Sequence, residues 1–357
     1  MNHKLLSWLS QFVRLEAIDY KSDVSNLIVD MFISDKCNLK CKHCYFGNTQ
    51  TKGNLLSTQE WMDVISSFYE EGIRHFHISG RESSLDSRIP EIISYIKELG
   101  GTFTGLVSNG TGKEQYYNEL INAGVDYLEF SIDGLERTHN YIRGGNIFSK
   151  VISLLDSLSG YSNIIDVSTC LNTKSIDEYF ELIDICYGCG VRKFFATPFL
   201  IRGNAESFKS YSISAKAYCQ LINNSFNYLE TKPDNKIALK YCIPYDMILP
   251  MIEEDSSFRQ RVIDYLTGKG ELIYHINGNV MEISIDFFDI KFLQNISITS
   301  DGEVIPCADY ISDIDYTRYS IGNVIKTEIS AIIKSRAETI NNNLKLMYYG
   351  ISNEKKH

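Results

Sequence analysis

The sequence predicts an α/β fold built on a parallel sheet, and three observations support this. Short apolar runs alternate with longer amphipathic runs about six times between residues 27 and 198, as strands joined by helical crossovers do. The chain has 357 residues, 44% of them hydrophobic, so it can bury a large core. The pattern becomes irregular after residue 201, which indicates one large domain plus an appendage. The sheet is either open or closed into a barrel, and in both cases the chemistry belongs at the carboxyl ends of the strands.

The regular part of the chain predicts its elements in order. Strands are expected at 27–34, 74–79, 103–108, 126–132, 164–171 and 192–198. A helix is expected over 57–72, because Ser57 and Glu60 form a capping box. Its apolar residues recur at helical spacing, at Trp61, Val64, Ile65 and Phe68. Further helices are expected over 89–99, 113–123, 146–158 and 176–189.

The carboxyl-terminal third is harder to assign. Residues 213–229 have a helical pattern, whereas residues 234–291 are mixed and predict no clear element. Asp301-Gly302 separates the short runs 295–300 and 303–306, which is typical of a β-hairpin. A helix is expected over 328–343.

Charge and composition exclude several classes of protein. The net charge of −10 argues against a nucleic-acid partner bound by phosphate neutralisation. No apolar run approaches the roughly 18 residues of a membrane helix, and the first sixteen residues are too polar for a signal peptide, so no membrane partner is expected. Nine cysteines, an odd number, in a long chain favour reduced thiols in the cytoplasm over a secreted disulfide framework.

Three cysteines with metal-ligand spacing follow the first predicted strand. Cys37, Cys41 and Cys44 form a C-x3-C-x2-C motif in the loop at the carboxyl end of that strand. Three thiolates can hold three corners of a [4Fe–4S] cluster, which normally takes four cysteines, and one iron then stays open for catalysis. Zinc sites more often pair C-x2-C with a second pair of ligands further on. The remaining alternative is three unrelated cysteines.

Here the chain resembles the radical SAM superfamily, and further segments between residues 27 and about 205 agree in order. His43 stands where the family has an aromatic residue beside the adenine of S-adenosylmethionine (SAM). Gly80 to Ser83 stand where the family has the Gly-Gly-Glu-Pro stretch that binds the methionyl amino group, and Ser108-Asn109-Gly110 resembles its Thr-Asn-Gly segment. The block that contains Ser131, Asp133 and Arg143 resembles one branch, in which the serine and the arginine contact the SAM carboxylate.

This resemblance implies a fold, cofactors and a mechanism. The fold is a partial (β/α)6 TIM-like barrel, and the cofactors are one [4Fe–4S] cluster and SAM. The implied SAM-binding residues are His43, Gly80, Arg81, Glu82, Ser108, Asn109, Ser131, Asp133 and Arg143. An external one-electron reductant reduces the cluster, SAM is split to a 5′-deoxyadenosyl radical, and this radical takes a hydrogen atom from the substrate. The protein orients the cofactors and excludes water.

The sequence departs from the family pattern at Arg81 and Ser83, which stand in place of glycine and proline. A glycine there lets the backbone approach a ligand closely. Arg81 instead brings a fixed cation, which either pairs with a carboxylate of SAM or substrate or points outward as a solvated charge. Glu82 keeps the acceptor for the SAM ammonium.

The carboxyl-terminal end resembles a SPASM domain, an appendage of many radical SAM enzymes that modify peptides and that normally binds auxiliary iron–sulfur clusters. Gly302 and Cys307 match its G-x4-C element, but no further cysteine follows, and the nearest earlier one is Cys242. Two cysteines cannot form the usual thiolate shell of a cluster. A SPASM-like α+β appendage without auxiliary clusters is therefore expected, and the alternative is a chance spacing in an unrelated hairpin.

Cys170 ends the fifth predicted strand, where a thiol could return a hydrogen atom to a substrate radical. The alternative is a small buried side chain that only packs. Cys186 and Cys189 form a C-x2-C at the carboxyl end of a helix, where ordinary packing is the better interpretation.

These features lead to one principal hypothesis and several alternatives. The chain is expected to be a radical SAM enzyme that modifies a ribosomally made precursor peptide, with a redox-neutral outcome such as backbone excision or epimerisation. The alternatives are action on a small molecule such as a sugar or cofactor precursor, oxidative peptide cross-linking, or a catalytically inactive scaffold. The expected domains are an amino-terminal extension (1–26), the barrel (27–205) and the appendage (206–357). Because only about 26 residues precede the barrel, a separate leader-recognition protein is expected.

Overall fold

A single sheet of twelve strands organises the chain, in the order β12-β11-β10-β1-β2-β3-β4-β5-β6-β7-β9-β8. The structure is a computed structural model, and it describes residues 3–12, 24–47, 53–285, 295–305, 316–339 and 341. The strands are β1 (Ile28–Met31), β2 (His75–Ile78), β3 (Phe103–Ser108), β4 (Tyr127–Ser131), β5 (Ile165–Leu171), β6 (Lys193–Pro198), β7 (Ala238–Ile243), β8 (Ile273–Ile276), β9 (Asn279–Ile285), β10 (Asn295–Ile298), β11 (Glu303–Ile305) and β12 (Gly322–Asn323).

Helices cover one face of this sheet. They are α1 (His3–Leu9), α2 (Thr58–Glu70), α3 (Ile89–Glu98), α4 (Glu114–Asn122), α5 (Glu136–Arg143), α6 (Phe148–Ser157), α7 (Tyr179–Gly188), α8 (Ala215–Glu230), α9 (Tyr245–Glu254), α10 (Ser256–Leu266) and α11 (residues 329–339). The capping box of α2 is formed as predicted, with Ser57 and Glu60 bonded to each other's backbone. None of the described helices combines the length and the hydropathy needed to cross a membrane.

The predicted α/β fold with a parallel sheet is confirmed. Strands β1 to β6 lie side by side in sequence order, and every neighbouring pair is parallel. The sheet is open, since β12 and β8 stand at its two ends without pairing to each other within the described residues. It is therefore a partial barrel, as the resemblance implied, with all six strand ends on one side of the molecule.

Strands beyond residue 205 extend the same sheet. β7 pairs with β6 and β9 pairs with β7, both in parallel, while β10 pairs in parallel with β1 at the other side. The predicted hairpin at Asp301-Gly302 is present as antiparallel β10 and β11, and β12 adds to β11. This antiparallel segment confirms the α+β character expected near the carboxyl end. The domain boundary at residue 205 stays a prediction.

Burial alternates along the strands, so the two faces of the sheet differ in character. In β5, every second residue is fully buried against the helices, beginning with Ile165 and Val167. The residues between them, Asp166, Ser168 and Cys170, face the inside of the partial barrel and are only partly buried. The apolar core thus lies between sheet and helices, and the inner face keeps polar groups for chemistry.

Candidate active site

The three motif cysteines lie together in the loop that follows β1. Cys37 is exposed, Cys44 is partly buried and Cys41 is buried. Burial raises the pKa of Cys41 to about 11, and the neighbouring Cys44 and Cys37 add to the rise, although Arg143 opposes it. Three thiols in one short loop, near enough to affect one another electrostatically and with Cys37 at the surface, fit the donor set of an iron–sulfur cluster.

Gly203 and Asn204, which follow β6, hold this loop in place. The Asn204 amide N–H donates to the Cys44 carbonyl at 2.9 Å, and its side-chain amide donates to the Cys41 carbonyl at 3.1 Å. Gly203 has φ +58°, and a Cβ on it would lie 2.4 Å from the Tyr45 carbonyl oxygen. No larger residue fits there. In the sequence this segment is visible only as part of the resemblance, and its one local signal is the Gly-Asn pair in the loop after β6.

The carboxyl ends of β2 and β3 meet at Glu82, which is 2% exposed. Its Oε1 accepts from the Ser108 hydroxyl (2.7 Å) and the Ser84 amide (3.0 Å), and its Oε2 accepts from the Asn109 amide (2.8 Å). The Asn109 side chain then donates to Asn38 of the cysteine loop at 3.0 Å. Because a carboxylate has about four acceptor sites, Glu82 keeps one for a ligand.

Gly80 and Arg81 pack against the cysteine loop. Gly80 has φ +99°, and a Cβ on it would lie 2.9 Å from the Phe32 ring. The Arg81 guanidinium lies 5.2 Å from the centre of the Phe46 ring and donates to the Gly47 carbonyl at 3.4 Å. Arg81 thus contacts protein groups of the loop, and its two expected roles, a partner for a carboxylate of SAM or substrate or a solvated charge, stay predictions.

Asp133, after β4, is the centre of the most buried polar group of the site. Its side chain is fully buried, and its Oδ2 lies 2.5 Å from Arg143 Nε and 3.2 Å from His43 Nε2. Its Oδ1 accepts from the Cys170 backbone amide at 2.9 Å. Arg143 reaches on towards Cys41, with Nη1 4.0 Å from the sulfur. One carboxylate therefore joins the cysteine loop to α5 and β5.

The charges in this group are set by burial and by Arg143. Burial alone would raise the pKa of Asp133, but Arg143 and then His43 hold it well below its usual range, so the carboxylate stays ionised. Burial and the charge of Arg143 lower the pKa of His139 to about 4, so this ring is neutral. Its Nδ1 accepts from the Asp133 amide at 3.1 Å.

His43 is held by Asp133 and retains one free polar atom. With Nε2 facing the carboxylate, the proton is assigned to Nε2, and Nδ1 becomes an acceptor. Nδ1 is buried and has no hydrogen-bond partner within the described residues. A buried acceptor without a partner fits a bound ligand that supplies the missing donor.

Cys170 faces the inside of the partial barrel beside this group. Its sulfur, a His43 nitrogen and an Asp133 oxygen lie within 4.8 Å of one another. A cation is nevertheless disfavoured there, because Asp133 is already committed to Arg143, His43 and a backbone amide. Burial and the charge of Asp133 raise the pKa of Cys170 to about 12, so the thiol keeps its proton. Ser131 ends β4 next to Ser168 of β5 and faces the same interior.

The structure thus brings the sequence-predicted site residues to one side of the sheet, and it adds Gly203, Asn204 and His139 to them. Cys242 lies in β7 and is buried, with its carbonyl accepting from the Tyr218 hydroxyl at 2.8 Å. Cys307 lies outside the described residues. Cys186 is fully buried in the apolar core, in keeping with a packing role.

Asp166, near the amino end of β5, is expected to make the stability of the folded protein depend on pH. Burial raises its pKa to about 7, and the charge of Glu129 opposes ionisation as well, whereas Lys193, 3.5 Å away, favours it. The folded state therefore binds a proton that the unfolded chain releases near pH 4, and stability falls as the pH rises from about 4 to 7.

Asp166→Asn is expected to remove this loss. The variant should be about 1–3 kcal/mol more stable than wild type at pH 8, with no gain at pH 4. Urea denaturation at both pH values measures the difference. Asp177→Asn, at an exposed carboxylate, is the control and should change stability at neither pH. A variant less stable than wild type at pH 8 would contradict the prediction.

Comparison with known proteins agrees with this geometry. Residues 31–204 match the family model described as the radical SAM superfamily, and residues 292–350 match that of SPASM, described as an iron-sulfur cluster-binding domain. The first match contains the cysteine motif and the ends of β1 to β6, and it ends at Asn204, which bonds the cysteine loop.

Two curated relatives of this chain have names that describe different functions. A probable GTP 3′,8-cyclase of Methanococcus maripaludis is 39% identical over 120 residues, which is 33% of this chain and 40% of that protein. The sporulation killing factor maturation protein SkfB of Bacillus subtilis is 26% identical over 192 residues, 53% of this chain and 47% of that protein. The chain thus spans less than half the length of these two relatives.

Among solved structures, Streptococcus suis SuiB bound to precursor peptide SuiA superimposes with a TM-score of 0.63. The superposition covers 91% of this chain and 66% of that chain, at 15% sequence identity. At this identity the likeness shows the fold alone.

Proposed function

We propose that this chain, which belongs to the radical SAM superfamily, modifies a ribosomally made precursor peptide with a redox-neutral outcome, either excision of a backbone fragment or epimerisation. Its cofactors are a [4Fe–4S] cluster and SAM. When bound, the two together supply the abstraction of a hydrogen atom from the substrate. The protein holds them, orients the substrate and controls what happens to the hydrogen.

The cysteine loop and the Asp133 group would hold the cofactors. Cys37, Cys41 and Cys44 would bind three irons, and Arg143, next to Cys41 and fixed by Asp133, would offer its remaining N–H groups to the SAM carboxylate. Glu82 would use its free acceptor site for the SAM ammonium. His43 Nδ1 would accept from the adenine amino group. The walls of the SAM-binding site would be formed by Gly80, Arg81, Ser108, Asn109 and Ser131.

The observation that carries the redox-neutral proposal is the single cysteine, Cys307, within the SPASM-matched residues 292–350. A cluster normally takes four thiolates, so this segment lacks the ligands of an auxiliary cluster. Oxidative cross-linking needs an acceptor for a further electron, and residues 292–350 contain no second thiolate set to supply one. Returning the hydrogen or fragmenting the backbone needs no such acceptor.

If the outcome is epimerisation, Cys170 is the proposed hydrogen donor. Its raised pKa keeps the S–H bond intact, and its position beside Asp133 and His43 places it next to the cofactor residues. Transfer of the hydrogen atom to a substrate radical would leave a radical on the Cys170 sulfur. The external one-electron reductant, together with a proton from solvent, would restore the thiol.

The peptide substrate is supported by the relatives rather than by the fold. SkfB is named for maturation of the sporulation killing factor, and SuiB was crystallised with a precursor peptide. The further partners in this proposal are a separate leader-recognition protein and the external one-electron reductant. The GTP 3′,8-cyclase relatives favour a second candidate function, in which the substrate is a small molecule such as a nucleotide.

Co-expression with the peptide encoded by a short reading frame next to the gene is the decisive experiment. We expect either a large loss of peptide mass, which means excision, or an unchanged mass with altered stereochemistry, which means epimerisation. Mass spectrometry and chiral amino-acid analysis measure the two outcomes. Cys41→Ala, expressed with the same peptide, is the control that should leave it unmodified.

Two results would contradict the proposal. Loss of two hydrogen atoms from the peptide would mean oxidative cross-linking. An unmodified peptide, together with SAM-dependent consumption of GTP by the purified enzyme, would favour the small-molecule function.

A further inference from the structure

The edge of the sheet at β8 exposes backbone hydrogen-bonding groups. β8 pairs with β9 on one side, and within the described residues no strand pairs with its other side. The Leu272 carbonyl accepts from the Ile283 amide at 2.8 Å, so hydrogen-bonded pairs fall at Leu272, Tyr274 and Ile276. In an antiparallel ladder the residues between them point the other way. The N–H and C=O groups of Ile273 and His275 therefore face outward.

This edge lacks the features that usually protect an exposed strand. Residues 273–276 contain no lysine, no proline and no acidic residue. Ile273 is 47% exposed, and it is paired with Glu282 of β9. Tyr274 points to the opposite face, where its ring lies 5.0 Å from that of Phe226 in α8. The side chains of Ile273 and His275 thus face the inside of the partial barrel.

A cavity of about 1210 Å³ begins at this edge. Ile273 and Leu272 form part of its wall, and it extends into the barrel as far as His77 and Glu129. It is bordered by Phe103 and Tyr127 at the amino ends of β3 and β4, and none of the described cofactor-site residues lines it, so it would hold a part of the peptide away from the reacting residue. Its volume exceeds the about 300–1,000 Å³ of sites for drug-sized molecules. A polypeptide segment in extended conformation along β8 would therefore lie beside a space of adequate size.

The charges of the cavity wall select among peptides. Glu129, Glu271 and Glu282 line the cavity, whereas Lys240, which pairs with Glu282 at 2.8 Å, is the one lysine or arginine among the lining residues the structure describes. Glu129 is bonded to a neutral hydroxyl, that of Tyr127. His77 also lines the cavity, and although burial opposes its protonation, Asp30 and Glu129 raise its pKa. Three carboxylates thus face Lys240 and His77, so the wall keeps an excess of negative charge and favours a positively charged side chain.

We propose that an extended segment of the peptide substrate, carrying lysine or arginine, adds to the free edge of β8 as a further strand and continues into the cavity. The inference rests on the proposed function and identifies where its substrate binds. The outward groups of Ile273 and His275 would bond the peptide backbone, and every second peptide side chain would face the cavity wall. Addition of a strand requires an extended chain, so a compact small molecule does not fit this edge.

Ile273→Pro tests the proposal, because the outward N–H of Ile273 takes no part in the pairing of β8 with β9. Proline removes this donor and leaves the ladder intact. We expect the affinity for the co-encoded precursor peptide, measured by titration calorimetry of the full chain, to fall about tenfold. Ile273→Val keeps the N–H and should bind as wild type does. Glu271→Lys should weaken binding as well, and more strongly at low salt.

Amide hydrogen exchange gives a second readout that does not depend on a variant. The amides of Ile273 and His275 should exchange rapidly in the free protein and slowly after the precursor peptide is added. Protection of both amides without peptide would mean that another part of the chain covers the edge, and it would overturn the proposal. Binding that Ile273→Pro leaves unchanged would overturn it too, while the proposed function would stand. A wild-type enzyme that neither binds nor modifies the peptide would overturn both.

Discussion

Replacing Cys41 with alanine is expected to leave the anaerobically reconstituted protein without its cluster and to reduce SAM cleavage to background. Wild type should carry roughly four irons per chain, and the variant close to none. The physical reason is that only three thiols are available in the loop after β1, so the loss of one leaves two, which cannot hold the cluster. An iron assay and the amount of 5′-deoxyadenosine formed with dithionite measure the effect.

Cys242→Ala is the matched control, since Cys242 is also buried but lies in β7. Cys242 is the nearest cysteine before the SPASM-matched segment, so the iron content of the Cys242→Ala variant also tests for a second cluster. We expect the iron content of this variant to equal that of wild type. About eight irons in wild type, with a loss in Cys242→Ala, would contradict the proposal of a single cluster.

The sequence was sufficient to predict the parts of the site that depend on local pattern. Apolar runs defined β1 to β6, and the ends of parallel strands necessarily meet at one edge, so Cys41, Glu82 and Ser131 could be assigned to one side in advance. The capping box at Ser57 and the hairpin at Asp301-Gly302 are also local signals, and both are present in the structure.

Other parts depend on contacts between distant segments, and no local pattern reports these. β1 pairs with β10, so Ile28 lies next to Asn295, and nothing in either segment specifies the other. Helix α5 was not predicted because most of its side chains are polar. Its buried residues contribute to the site and do not form an apolar stripe. The β8–β9 hairpin was missed although its turn, Asn277-Gly278, has positive φ at both residues and is the pair typical of two-residue hairpins.

Asp133→Ala is expected to destabilise the protein by about 3–5 kcal/mol, because it leaves the buried Arg143 guanidinium without its partner. The side chain of Arg143 is 10% exposed, so water cannot replace the lost carboxylate. His43 and the Cys170 amide lose an acceptor at the same time. Urea denaturation measures the loss of stability. Asp177→Ala, at an exposed carboxylate, is the control and should stay within about 0.5 kcal/mol of wild type.

A double variant separates the structural role of Asp133 from its role in binding SAM. Asp133→Ala combined with Arg143→Met removes both buried charges, so we expect it to regain at least half of the lost stability. SAM affinity, measured by titration calorimetry on the reconstituted protein, should nevertheless stay low, since Arg143 is the proposed partner of the SAM carboxylate. If SAM affinity returned together with stability, Arg143 would be a structural counterion of Asp133 alone. The binding of SAM would then depend on Glu82 and on the open iron.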